Sequence, residues 1–257
     1  MRQQALLATA VLFAVACSDD PTGPDNSITA EMRADIAQSS GEVVAQDVEA
    51  MSHTEASSST TLFAFAGDPS AGGCTFSLGT FLCVRSFGAL DGEAQLTFRD
   101  AQGNAQDDFD ATTTASVVIA TEVSGDIDRT NFDLSFASEG DFTVTGLAGD
   151  ETSRTWNGTG TTSVTSSLFG GSRAYTWTAT RTATNVVVPT SGTEPRWPTS
   201  GTVTSNVEME VTGGPDDGKT ADVTVTVTFN GTATVPLKVG NVNYTLNLAT
   251  RTVSSAS

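Results

Sequence analysis

Three stretches near the C-terminus alternate apolar and polar residues so strictly that they can only be strands with one wet face. Val203, Val207, Met209 and Val211 interleave with Thr202, Thr204, Asn206, Glu208 and Glu210. Ala221, Val223, Val225, Val227 and Phe229 interleave with Thr220, Asp222, Thr224, Thr226 and Thr228. Val242, Tyr244, Leu246 and Leu248 do the same against Asn241, Asn243, Thr245 and Asn247. The period of two also appears at Ala94, Leu96 and Phe98, at Phe132, Leu134 and Phe136, and at Phe142 and Val144. Successive side chains of a strand point to opposite faces, so each run has an apolar and a polar side. Parallel strands are covered on both faces and read as unbroken apolar runs, so this pattern belongs to antiparallel strands lying on a core. The fold class is all-β, mainly antiparallel, over residues 62–257.

Register follows from keeping the apolar faces together, because a slip of one residue inverts a strand. In Cys74-Thr-Phe-Ser-Leu-Gly-Thr-Phe-Leu-Cys83 a two-residue turn at Leu78-Gly79 pairs Ser77 with Thr80, Phe76 with Phe81 and Cys74 with Cys83. The cysteines then face each other at a non-hydrogen-bonded site, where Cα atoms approach to about 4.5 Å, a separation that accepts a disulfide. A redox-active pair would call for CxxC spacing, so Cys74 and Cys83 read as a structural staple. Gly170-Gly171 joins two long strands, residues 153–169 and 172–188, and sets Val164 opposite Trp177. Gly240-Asn241 sets Leu237 opposite Tyr244 and Val235 opposite Leu246. At Asn230-Gly231 a two-residue turn would put Phe229 against Thr232, so a three-residue loop, pairing Phe229 with Ala233 and Val227 with Val235, is expected.

The sum is about 12 strands, joined mostly by short turns, with one long loop at residues 189–200 containing Pro189, Pro195 and Pro198. Such a meander forms a curved sheet, an open or closed barrel, or a sandwich. Strands of about 16 residues span roughly 53 Å and must bend or bulge. No fixed repeat points to a solenoid. A membrane barrel would need lipid-facing apolar bands with aromatic girdles, whereas aromatic content is 7% and several apolar-face positions are Gly, Ala or Arg.

Residues 1–17, MRQQALLATAVLFAVAC, have one early cation, Arg2, and an uncharged apolar core at residues 5–16. These 12 residues rise only about 18 Å as a helix, short of a bilayer core of about 30 Å, so the segment reads as a secretory signal. Its end, Ala14-Val15-Ala16-Cys17, resembles the lipobox of bacterial lipoproteins, although Leu is commoner than Ala at the first position. The resemblance implies cleavage after residue 16, lipid attachment at Cys17 and, from Ser18 after the cysteine, an outer-membrane destination. Residues 17–26 then form an anchor and a polar, proline-punctuated tether. Residues 27–53 hold the one helical pattern, with Ser27 as expected N-cap and Ile28, Met32, Ile36, Val43, Val44, Val48 and Met51 near one face. Glu31, Arg33, Asp35, Gln38, Glu42, Gln46 and Glu49 fall on the other face, and Ser39-Ser40-Gly41 marks a candidate break. The stripe is expected to pack on the β domain, the alternative being a docking helix for a partner. Ser57 begins a short linker.

Without the signal the chain keeps 11 basic against 30 acidic residues, a formal charge of −19. Such a surface repels nucleic acid and anionic headgroups. The single histidine, His53, at the end of the helical segment, excludes a multi-histidine zinc site. There is no G-x-S-x-G elbow, S-x-x-K, phosphate loop or dinucleotide fingerprint. Carboxylates abundant enough for a glycosidase show no spacing that singles out a pair. The acidic runs Asp107-Asp108-Phe109-Asp110, Asp126-Ile127-Asp128 and Asp216-Asp217-Gly218 offer calcium-type oxygens but match no EF-hand and read as solvated turns. Arg154, Arg173 and Arg181 share strand parity with Trp156, Tyr175 and Trp177. Strand ends projecting past the core are the simpler explanation of all three. The alternative is an inward-facing Arg that holds an anionic ligand, for which Arg181 fits best, so Trp156, Trp177 and Arg181 are the candidate ligand-lining residues. The expectation is a lipid-anchored envelope protein with a non-catalytic binding or structural role, needing no cofactor or metal and partnered by the membrane and an envelope protein or apolar ligand. The alternatives are a carrier of a lipid or other apolar molecule inside a barrel or half-barrel and, further off, a glycosidase.

Overall fold

Among the described residues each strand pairs antiparallel with its neighbours in sequence, giving a single 12-stranded meander in strict sequence order. The computed structural model describes residues 28–52, 74–87, 89–129, 132–148, 151–168, 174–190 and 197–256. Helix α1 (Ala30–Ser52) precedes β1 (Cys74–Ser77), β2 (Thr80–Phe87), β3 (Leu90–Asp100), β4 (Thr114–Arg129), β5 (Phe132–Thr145) and β6 (Ser153–Leu168). Then come β7 (Ala174–Pro189), β8 (Ser200–Thr212), β9 (Thr220–Thr228), β10 (Thr234–Val239), β11 (Val242–Asn247) and β12 (Thr252–Ser255). Of the forms the sequence left open, the sheet is an open one among the described residues, with β1 and β12 as its two edges.

Parity set by alternation holds through the sheet. Val203, Val207, Met209 and Val211 are buried, as are Val223, Val225, Val227, Leu237 and Leu246, while their threonine and carboxylate neighbours face out. Cys74 lies opposite Cys83 and is disulfide-bonded to it across a Cα separation of 4.0 Å. Val164 faces Trp177, and Leu237 faces Tyr244. One register differs from expectation: Val227 pairs with Leu237, not Val235, so the β9–β10 connection is longer than three residues. A shift of two keeps every side chain on its face, and the turn's own hydrogen bonds decide between the two registers. Asn230 Oδ1 accepts from the Thr232 amide, and Asn230 Nδ2 donates to the Thr234 carbonyl.

The long strands bulge where a bend was expected. Between Trp156 and Gly158 on β6, strand β7 advances from Val186 to Ala183, one residue more than its partner. Asn185 takes φ of 48° there, and its amide donates to Asn157 Oδ1 at 2.8 Å. Gly201 on β8 crosses this bulge at φ of 99°, where an added Cβ would stand 2.3 Å from the Asn185 carbonyl oxygen. Strained φ and a backbone clash act together, so Gly201→Ala should destabilise by about 2 kcal/mol or more. Chemical denaturation measures this directly, and an unchanged midpoint would show that the bulge relaxes freely.

Helix α1 lies on the apolar side of β7–β12. Ser27 falls outside the described residues, and Thr29 is the N-cap, its Oγ1 accepting from the Met32 amide at 3.2 Å. The helix runs unbroken through Ser39-Ser40-Gly41, the candidate break. Gly41 presses on the sheet, since an added Cβ would sit 2.7 Å from Val253 Cγ2 and 3.1 Å from Leu246 Cδ1. Close approach, and not chain termination, accounts for a residue that costs a helix interior about 1 kcal/mol. Among the described residues no helix is long and apolar enough to cross a membrane.

Candidate functional site

The side chains with most chemistry lie under α1. On the inner face one cross-strand row runs Thr121, Gly140, Gly160, Arg181 and Ser205, small residues flanking a single large cation. Arg181 lies over Gly160, its Nη2 3.7 Å from where a Cβ would be, and the Phe142 ring folds over Gly140 in the same way. The missing side chains make room for guanidinium and ring.

Arg181 is buried, and Nη1 donates to Asp47 Oδ2 of α1 at 2.5 Å. Arg181 Nε and Nη2 are buried without hydrogen-bond partners. Burial pushes the Asp47 carboxyl above its ordinary value, and the facing guanidinium pulls it only partly back. The charge that the sequence offered to an anionic ligand is thus matched within the chain. Asp47 escaped the sequence reading, yet the signal was present: it sits three residues after Val44 and four before Met51, inside the apolar stripe.

Trp156 is fully buried opposite Val186, and Trp177 is half-buried opposite Val164. Val186 and Trp177 are nine residues apart on β7, about 30 Å along an extended strand, so the two indoles and Arg181 do not converge on one ligand. Arg154 is half-buried at the start of β6, where desolvation lowers its pKa. Arg173, His53 and Cys17 lie outside the described residues.

No protein-family model matches the chain, nor does a curated protein or a solved structure.

Two of the three acidic runs differ from solvated turns. Asp126, Ile127 and Asp128 lie within β4, with Asp126 accepting from Ser135 Oγ at 2.6 Å. Asp216 closes a 3-10 turn and is buried, accepting from Lys219 Nζ at 2.7 Å and from Thr29 Oγ1 at 3.4 Å at the foot of α1. Residues 107–110 do form an exposed loop segment. Among the described residues no group of three His, Cys, Asp or Glu is arranged to hold a metal ion.

The outer face is acidic where strands meet. Glu93, Glu122 and Glu139 stand opposite one another on β3, β4 and β5, and Glu208 stands opposite Asp222 on β8 and β9. Like charges in direct opposition cost a few tenths to about 1 kcal/mol per pair. With Asp141 the first three line a shallow depression of about 310 Å³ above Gly140 and Gly160. Glu122, Glu139 and Asp141 are exposed and Glu93 half-buried, an arrangement suited to attracting cations and not to holding a catalytic carboxyl dry.

Proposed function

We propose that the chain is a lipid-anchored protein of the cell envelope, attached through Cys17, whose β sheet has a non-catalytic binding or structural role. The observation that carries this reading is the sequence Ala14-Val15-Ala16-Cys17 at the end of a short apolar segment, followed by a polar tether containing Pro21 and Pro24. The disulfide between Cys74 and Cys83 agrees with an oxidising compartment. The non-carrier reading draws support from the inner face, where α1, Phe142 and Trp156 occupy the space an apolar cargo would need.

Cys17→Ser in the full-length chain should abolish lipid labelling and move the protein from the membrane to the soluble fraction. The N-terminal peptide of the wild-type protein should gain the mass of its acyl chains. Equal membrane retention and unchanged lipid mass in the variant would overturn the anchor.

A further inference from the structure

One end of the sheet leaves large apolar side chains exposed. Leu78 and Gly79 form the β1–β2 turn with φ of 53° and 79°. Asn-Gly is the sequence that relieves such a turn, and a leucine at positive φ is strained. Leu78 is also fully exposed, so its side chain returns nothing to the core. Phe76 on the same hairpin and Phe109 on the β3–β4 loop are exposed too. The two segments adjoin, an added Cβ at Gly79 falling 3.5 Å from Ala105 Cβ. Rings support the patch from beneath: Phe76 and Phe81 centroids are 4.8 Å apart, and Phe81–Phe98 and Phe98–Phe109 are each 5.7 Å. The disulfide fixes the base of the hairpin. Exposed apolar side chains held on a braced support lose little freedom on binding, which favours docking.

The border of the patch defines what fits it. Asp107, Asp108 and Asp110 surround Phe109, all exposed, while Arg99 is turned onto the Gly103 carbonyl. Anionic headgroups are repelled by such a rim, and a second copy would oppose like charges. We infer that this end of the sheet docks an envelope protein, seating Leu78 and Phe109 in an apolar pocket of that partner bordered by Lys and Arg. The compartment of the partner rests on the anchor reading; the chemistry of the patch does not.

The test is photo-cross-linking in cells that natively make the full chain, with p-benzoylphenylalanine in place of Phe109 or, as a control on the outer face, of Thr182. The tip should give one protein adduct, cross-linked at an apolar peptide of the partner with Lys or Arg at its border, and the control none. Asp107→Asn with Asp108→Asn, or raised salt, should lower the yield about fivefold. Leu78→Asn should lower it about tenfold while leaving Tm equal or higher, because the turn is relieved. Persistence of the adduct in Cys17→Ser would uphold the docking independently of the anchor. A homodimeric adduct, a lipid adduct, no adduct, or a yield indifferent to Leu78 and to salt would overturn it.

Discussion

Asp47→Ala should lower the unfolding free energy by about 3–5 kcal/mol, because it strands the Arg181 guanidinium in a dry interface. Arg181→Ala should cost a similar amount by leaving Asp47 buried alone. Asp47→Leu combined with Arg181→Met should restore stability to within about 1 kcal/mol of wild type, since the desolvation cost of both ions disappears with their attraction. Urea titrations of the four proteins measure this cycle, and two small single effects would mean that water reaches the pair. The pH dependence has a definite sign. Burial raises Asp47 above its ordinary value, so the folded chain holds that proton more readily than the unfolded chain. Stability from this group is complete below the ordinary carboxylate range and falls as pH rises through the raised value. Acid therefore does not release α1 through Asp47, and Asp47→Asn should remove this slope from the profile.

Trp156→Ala should be as damaging, at about 3–5 kcal/mol, because a fully buried indole leaves a cavity that strands pinned by the Asn185 bulge cannot close. Trp177→Ala, at a half-buried position, should cost about half as much. Thermal unfolding separates the two, with a drop of about 10 °C for the first. Near-wild-type stability in Trp156→Ala would mean that the indole lines a ligand space and not the core.

Side-chain parity made the sheet legible in the sequence. Cys74 with Cys83, Val164 with Trp177 and Val235 with Leu246 could be paired from alternation and turn length alone. The β9–β10 register was not legible in the same way, because moving Val227 from Val235 to Leu237 leaves both faces unchanged. What chooses is the Asn230 side chain bonding within its own turn, which has no periodic signature. Closure was illegible too, as alternation fixes faces and not the distance between first and last strands. On α1, polarity misled. Asp35 accepts from Tyr175 Oη at 2.8 Å and Glu49 pairs with Arg251, so two carboxylates that suggest a wet face in fact fasten the helix, as does Asp47 within the apolar stripe. Their partners lie more than a hundred residues away, on strands and a turn whose positions become known only after folding.

Gln38 does for β12 what a thirteenth strand would do. Its Nε2 donates to the Arg251 carbonyl at 2.9 Å and its Oε1 accepts from the Val253 amide at 3.1 Å, so one side chain satisfies an acceptor just before the last strand and a donor on its outer edge. Head-to-tail growth of a fibre needs two receptive ends on every subunit. With the Val253 amide already bonded to the helix, a strand added beyond β12 would first have to displace Gln38.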